Sequence, residues 1–182
     1  MEAQAISTHA DLIERAVDND RAAQFELYKK YNAAMYNTAF RITGNTALAE
    51  DVIQESFLSA FQSLVFYRGE ASFGSWLKRI VINKAITLAK KESRWDLVED
   101  DTQLDQMDKV ADEPVYDVEM VKRAIESLPH GFRTVLSLYL LEGYDHKEIA
   151  EILDITESTS KTQYMRAKDK LKVLLLEKMN HG

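Results

Sequence analysis

One stretch near the carboxyl end of the chain combines short hydroxyl side chains with cations at helical spacing. At about 100° per residue, a helix beginning after Thr156 would carry a polar and cationic face. That face consists of Ser158, Lys161, Thr162, Met165 and Arg166. Hydroxyl and guanidinium groups can hydrogen-bond to base edges, and the cations can neutralise phosphates. The pattern therefore predicts a helix that binds duplex nucleic acid.

The opposite face of this helix is expected to pack against the rest of its domain. Its members are Ser160, Tyr164, Ala167 and Leu171. A shorter helix capped by Asp145 should precede it, with Asp154 in the left-handed turn position where glycine is usual, at a cost of about 1 kcal/mol. Ser160 stands where valine or isoleucine usually packs. Two helices joined in this way predict a helix-turn-helix; the alternative is an ordinary helical hairpin with a solvated outer face.

A second candidate surface follows the turn at residues 68–70. We expect a helix over residues 73–93, capped by Ser72 or Ser75. One stripe of it combines an aromatic ring, cations and an amide: Trp76, Arg79, Asn83, Thr87, Lys90 and Arg94. Aromatic rings stack on bases, cations follow phosphates and an amide can bind a base edge, as single-stranded nucleic acid requires. The alternative is a core tryptophan beside solvated cations.

A third candidate surface lies on the helix predicted over residues 47–64. Opposite its apolar packing face, acids and amides surround one leucine: Asp51, Gln54, Glu55, Leu58 and Gln62. A single exposed leucine is ordinary on any protein surface. The face is therefore either solvated or a docking strip for a helix of another protein.

The segments between these surfaces predict an all-α protein of two small helical domains. Two prolines and six glycines among 182 residues favour long helices. A helix over residues 11–19 and another from Asp20 to about Ile42 should complete a four-helix amino-terminal domain, and Thr46 can cap the next helix. Helical periodicity fails over an acidic stretch, which predicts a flexible linker. The expected boundaries are residues 1–95, 96–116 and 117–182.

In the carboxy-terminal domain, a first helix should begin near Val118, and Pro129 can open the next. That second helix is expected to bury Phe132, Val135, Leu136 and Tyr139 or Leu140. Glu142–Gly143 should end it before the helix-turn-helix.

Composition excludes several classes of protein. Without cysteine the chain has no disulfide or thiolate metal site, and its four histidines are dispersed with no metal-binding spacing, so no cofactor is expected. The sequence leaves a nucleophile with its base open, but no catalytic constellation stands out, and an enzyme is the third hypothesis. It has no apolar run long enough to insert into a membrane and an acidic amino terminus unlike a signal peptide, which predicts a cytoplasmic protein. A net charge of −7 argues against a generic coat for nucleic acid.

Two long motifs, in order, resemble bacterial RNA polymerase sigma factors of the extracytoplasmic-function (ECF) group. AEDVIQESFLSAFQSL with FYRGEASFGSWLKRIVINKA resembles their region two, and SLPHGFRTVLSLYLLEGYDHKEIAEILDITESTSKTQYMRAKDKL resembles their region four. The resemblance implies that the protein is not an enzyme but the promoter-specificity subunit of one, with core RNA polymerase and promoter DNA as partners. An anti-sigma factor is a common further partner in this group.

The resemblance also implies a role for each surface. Core polymerase would bind Asp51, Gln54, Glu55 and Leu58. The −10 element would be recognised as single strand, with one base flipped out, by Ser72, Phe73, Trp76, Arg79 and Asn83. The −35 duplex would meet Ser158, Thr159, Lys161, Thr162, Met165 and Arg166.

A free-standing helix-turn-helix regulator is the rival hypothesis from another class. It would need a ligand cavity lined by the amino-terminal helices and a homodimer interface. The sigma-factor hypothesis instead needs six residues to be exposed in a monomer: Asp51, Gln54, Glu55, Leu58, Arg79 and Asn83.

Overall fold

The computed structural model describes residues 2–92 and 116–180. In these two ranges the regular structure is helical throughout, which confirms the predicted all-α fold class. The chain divides into two compact units, residues 1–91 and 92–182. The linker predicted over residues 96–116 lies outside the described residues except for its last position, so the three expected boundaries stay predictions.

The first unit contains four helices and one short 3-10 turn. The helices are α1 (Glu2–Val17), α2 (Arg21–Thr43), α3 (Thr46–Ser63) and α4 (Phe73–Lys91), and the turn is Leu64–Phe66. The first helix begins well before residue 11, where apolar periodicity had predicted its start. The sequence before residue 11 lacks an apolar stripe, and periodicity alone detects only the part of a helix that packs.

Local chemistry sets the helix ends in this unit. The Asp20 side chain accepts the amide N–H groups of Ala22 and Ala23 and so caps α2, as predicted. Gly44, at φ 63°, ends that helix in the left-handed conformation. Asn45, and not Thr46, caps α3 by accepting the Leu48 N–H.

The core of the first unit lies between α2, α3 and α4, with α1 packed along α2. Its largest fully buried side chains come from all three central helices and the 3-10 turn: Leu27, Ile42, Val52, Leu64, Leu77, Val81 and Ile82. Burial of each such side chain contributes about 1.5–3 kcal/mol. This core fixes the outer faces of α3 and α4.

The second unit is built on its longest helix. It comprises α5 (Val118–Glu126), α6 (His130–Leu140), α7 (His146–Leu153) and α8 (Glu157–Asn180). The first three pack on α8, where Leu128, Phe132, Leu136 and Ala167 form a buried cluster.

The prediction of a buried Tyr139 or Leu140 is wrong. Leu140 is 53% exposed and Tyr139 is also at the surface. Residues 131–138 are buried without interruption, so α6 is enclosed until its last turn, and only that turn emerges. In the described ranges, none of the helices has the length and hydrophobicity needed to cross a membrane.

Candidate nucleic-acid and protein interfaces

The acidic and amide face of α3 is exposed along its length. Asp51, Gln54 and Glu55 are at the surface, and Leu58 is 63% exposed in their midst. The Glu55 carboxylate pairs with the Lys84 ammonium on α4 at 3.1 Å. An exposed pair of this kind adds little stability, so the face is available to another protein.

The loop between the 3-10 turn and α4 is held by hydrogen bonds. The Tyr67 hydroxyl donates to the Ala71 carbonyl oxygen at 2.6 Å, which closes the loop. Ser72 Oγ accepts the Ser75 N–H at 3.2 Å and so caps α4. Gly69 has a φ of 72°, a conformation that glycine adopts without steric cost.

An aromatic cluster anchors the start of α4. Phe73 contacts Tyr31, Tyr67 and Trp76, with ring centroids 5.2, 6.0 and 5.7 Å away. Phe73 is only 2% exposed, but it lines a cavity beside the loop, so its predicted part in the −10 site stays a prediction. Trp76 is half-buried, so it is neither a core residue nor a fully exposed stacking surface.

The remaining members of the predicted single-strand site are accessible. Ser72, Arg79 and Asn83 are exposed at the start of α4 and on its outer face. Trp76 lies between them along the helix, and its ring contacts Tyr67 at 5.3 Å. The structure therefore joins the loop and the stripe on α4 into one surface.

A cavity of about 760 Å³ opens beside the same loop. Its wall includes the loop residues Tyr67, Arg68 and Ser72 and, from the first two helices, His9, Lys30 and Tyr31. Arg79 and Asn83 lie outside its lining. Sequence reasoning missed the contribution of α1 and α2, because those residues lie far from the loop along the chain and carry no motif.

Two hydrogen bonds at the cavity wall join α1 to α2. Lys30 Nζ lies 3.1 Å from His9 Nδ1, and His9 Nε2 bonds to the Tyr31 hydroxyl. Burial, and then the charge of Lys30, lower the pKa of His9 from its ordinary value. Burial, and then Tyr67, raise the pKa of the Tyr31 phenol.

In the second unit, the polar face predicted on α8 is at the surface. Thr156 Oγ1 accepts the Thr159 N–H at 3.0 Å and caps the helix as predicted. Lys161 pairs with Glu157 at 2.6 Å, and this hydrogen bond lowers the pKa of the Glu157 carboxyl. Five of the six predicted contact residues are exposed, and Thr159 is partly so: Ser158, Thr159, Lys161, Thr162, Met165 and Arg166.

The turn before α8 has the predicted geometry. Asp145 and Glu148 form a reciprocal capping box at the start of α7. Asp154 is in the left-handed conformation at φ 58°. Ser160 is fully buried, and its hydroxyl lies 3.0 Å from His146 Nδ1.

Two further polar residues of this unit are buried. Gln163 follows the exposed Thr162 in α8 but is itself buried. Its Oε1 has no hydrogen-bond partner within the described part of the chain. The Arg133 guanidinium donates to the Glu126 carbonyl oxygen at 3.1 Å, and its burial lowers the pKa of Arg133. Nothing in the sequence pattern had indicated either residue as buried.

Within the two described ranges, no three histidine or acidic side chains converge to hold a metal ion. The exposed side chains of the two units form three surfaces: carboxylates and a leucine on α3, an aromatic and cationic surface at the start of α4, and hydroxyls with cations on α8.

Comparison with known families decides what these surfaces belong to. Residues 27–94 match the family described as sigma-70 region 2, and residues 119–171 match sigma-70 region 4. The chain belongs to the ECF group of sigma factors. The two matches cover, in order, the two motifs from which the resemblance was identified.

Sequence similarity to individual sigma factors covers most of this chain and most of each relative. The ECF RNA polymerase sigma-E factor of Haemophilus influenzae is 29% identical over 175 residues, which cover 89% of this chain and 92% of that protein. The ECF RNA polymerase sigma factor SigM of Bacillus subtilis is 28% identical, over 82% of this chain and 93% of that protein.

Solved structures show the same fold. CnrH, solved in complex with the cytosolic domain of CnrY, aligns with a TM-score of 0.53 at 23% identity over 90% of this sigma factor and 94% of that chain. The sigma factor RpoE of Bartonella quintana, in complex with the anti-sigma factor NepR, aligns with a TM-score of 0.55 at 21% identity over 82% and 94%.

Proposed function

We propose that this sigma factor binds core RNA polymerase, recognises the −35 element as duplex and the −10 element as single strand, and directs the start of transcription. The observation that carries the proposal is that two units, matching regions two and four in order, expose separate surfaces with the chemistry that each partner requires. In this role the chain supplies specificity to an enzyme and is not itself one. Its place of action would be the cytoplasm.

Core polymerase would dock on the α3 face formed by Asp51, Gln54, Glu55 and Leu58. An exposed apolar residue ringed by carboxylates and amides suits a helical partner with basic residues around an apolar centre. The match of residues 27–94 to sigma-70 region 2 supports this assignment over an ordinary solvated face.

The −10 element would be captured at the start of α4. Ser72 borders the cavity, Arg79 and Asn83 offer a cation and an amide, and Trp76 with the buried Phe73 supports the loop. Taking a base out of the duplex costs a few kcal/mol of stacking and pairing, which contacts to the extruded base must offset. A cavity walled by aromatic rings and hydroxyls is suited to that purpose.

The −35 element would be read by the amino-terminal half of α8. Ser158 and Thr159 lie at the start of the helix, where backbone N–H groups favour a phosphate. Lys161, Thr162, Met165 and Arg166 would face the major groove. The pair between Lys161 and Glu157 must open before that lysine can reach the DNA.

An anti-sigma factor is a further expected partner. Two solved structures of the same fold each contain a partner protein: the cytosolic domain of CnrY with CnrH, and the anti-sigma factor NepR with RpoE. A protein that covered the α3 face or the α8 face would prevent assembly with polymerase or promoter.

The rival hypothesis, a free-standing regulator, is not favoured. It required a cavity lined by the amino-terminal helices, and such a cavity is present. However, the cavity adjoins the loop at the start of α4, and both units match sigma-factor regions. The cavity is therefore better explained as part of the −10 site.

The deciding experiment is to add the purified chain to core polymerase and to measure run-off transcription from candidate promoters. The expected result is a stable complex and promoter-dependent transcripts. A chain that failed to bind core polymerase, or that bound a duplex site as a homodimer without it, would contradict the proposal.

A further inference from the structure

The hydrogen bonds at the cavity wall fix the direction of one phenolic proton. Lys30 bonds to His9 at Nδ1, and an ammonium group can only donate, so Nδ1 must accept. A neutral imidazole that accepts at Nδ1 carries its proton on Nε2. His9 Nε2 therefore donates to the Tyr31 oxygen, and the Tyr31 O–H proton is left for another acceptor.

The position of the Tyr31 ring is also restricted. It contacts Phe73 at 5.2 Å and His9 edge to face at 5.5 Å between ring centroids. A Cβ atom at Gly74 would lie 3.0 Å from Tyr31 Cε1, so the absence of a side chain there lets the ring pack closely against α4. Because Tyr31 lines the cavity, its hydroxyl is held at the wall beside the loop.

We propose that Tyr31 is a specificity-determining residue of the −10 site. Its hydroxyl donates a hydrogen bond to a carbonyl oxygen or an unprotonated ring nitrogen of the extruded base, and Lys30 and His9 are positioning residues that set the direction of its proton. This inference rests on the proposed function of the loop. It adds to the site two helices that neither the motifs nor the resemblance included.

Protonation of His9 would remove the preferred direction of the Tyr31 O–H proton. The ionisable groups near His9 come from three elements. Lys30 and Tyr31 belong to α2, Tyr67 and Arg68 to the loop, and Glu14 to α1. Ser72 and Phe73, at the start of α4, have no ionisable side chain. A proton on Nδ1 would turn the acceptor of Lys30 into a second cation. Because burial and the charge of Lys30 lower the pKa of His9, the histidine is neutral at and above its ordinary value of about 6.5, and the arrangement is lost only as the pH falls through the lowered pKa.

The test couples the tyrosine to the base by a double-mutant cycle. Full-length protein with core polymerase would open a transcribed promoter, and a fluorescent base would report opening. Each −10 base of the non-template strand would be replaced in turn by an apolar isostere without acceptors. At one position this replacement should reduce opening by the wild type about fivefold, as expected for one hydrogen bond, and should have no effect on Tyr31→Phe.

Tyr36→Phe is the matched control, because it removes a hydroxyl from the same helix, where the ring stacks on Phe40 away from the cavity. It should keep the wild-type response at every position. Equal losses by Tyr31→Phe and wild type at all −10 positions would overturn the inference while leaving the proposed function intact. Absence of opening by the wild-type holoenzyme at every promoter would overturn both.

The positioning role of His9 has a separate readout. His9→Gln supplies a neutral donor and acceptor at every pH, so it should keep base selectivity as the pH is lowered stepwise from about 7.5 through the lowered pKa of His9, where the wild type loses it. His9→Leu should lack selectivity at every pH. Identical pH profiles for wild type and His9→Gln would refute the role of the histidine.

Discussion

Ser160 is a polar residue at the centre of the packing face of α8, where an apolar side chain was expected. The structure explains it by a second polar residue, His146 at the start of α7, whose Nδ1 bonds to the buried hydroxyl. Tyr139 stacks on the imidazole at 4.5 Å between ring centroids. One hydrogen bond thus joins the two helices of the helix-turn-helix.

Ser160→Ala should destabilise this unit by about 1–2 kcal/mol, because the half-buried His146 would lose the hydrogen-bond partner of its Nδ1. Hydrogen exchange of the α7 and α8 amides, measured in the full-length chain, should become several-fold faster. Ser158→Ala, on the exposed face of the same helix, is the control and should leave exchange unchanged. The double variant His146→Leu with Ser160→Val should recover most of the loss, since it removes both polar groups. Unchanged exchange in Ser160→Ala would show that the bond contributes nothing.

Tyr31 and His9 line the cavity, but no sequence pattern indicated that they belong to the site. Their cavity contacts depend on α1, α2 and the loop before α4 meeting in space. Phe73 illustrates the reverse case. It belongs to the motif, but its ring is directed into the aromatic cluster and not to the surface.

At the scale of the element, helix α3 has one face in the core and one at the surface. Val52, Ile53 and Phe57 are buried in the core. On the opposite face, Asp51, Glu55 and Leu58 are exposed to solvent. Because the core determines the orientation of the helix, the outer face needs no further support.

Leu58→Ala should reduce affinity for core polymerase about tenfold, because truncation of a central interface residue commonly costs more than 1 kcal/mol. Titration of labelled chain with core polymerase would measure it. Phe25→Ala is the matched control: Phe25, at 57% exposed, is a comparably exposed apolar residue on α2. Unfolding of both variants should match the wild type. A loss of affinity in Phe25→Ala equal to that in Leu58→Ala would place the interface elsewhere.

Helix α8 should contribute phosphate contacts as well as base contacts. Arg166→Ala is expected to weaken binding of holoenzyme to the −35 element and to lower the slope of log affinity against log salt by about one. Lys172→Ala, an exposed cation on the same helix beyond the predicted contact residues, is the control and should leave the slope unchanged. An unaltered slope in Arg166→Ala would argue against a phosphate contact at that position.

At the scale of the whole molecule, a net charge of −7 is compatible with DNA binding if affinity depends on assembly. Each unit would contribute a modest contact, and polymerase would hold both at a fixed spacing. Linked binding of this kind strengthens affinity by a factor of about 100 to 10,000 without new contacts.

Free chain should therefore bind promoter duplex at least about a hundredfold more weakly than holoenzyme. Fluorescence anisotropy at physiological salt would compare the two. Insertion of about five base pairs, half a helical turn, between the promoter elements should abolish most of the advantage. Equal affinity of free chain and holoenzyme would contradict the two-part recognition.

Local patterns predicted much of this molecule. Helical spacing and capping residues predicted seven of the helices to within a few residues, because caps and amphipathic faces depend on neighbours in sequence. The same spacing predicted which residues of α3 and α8 would face outward. Patterns failed where a helix is buried on all sides, as along α6, because periodicity then carries no information about its exposed end.

The sequence by itself determined the helical class, the order of the two sigma-factor regions and the chemistry of each exposed face. Spacing along a helix and the motifs are local, and those properties follow from them. Only the tertiary structure decided that Phe73 is buried, that Ser160 has His146 as its partner, and that α1 and α2 complete the cavity beside the loop. Each of these depends on contacts between residues distant in the chain, which no local pattern records.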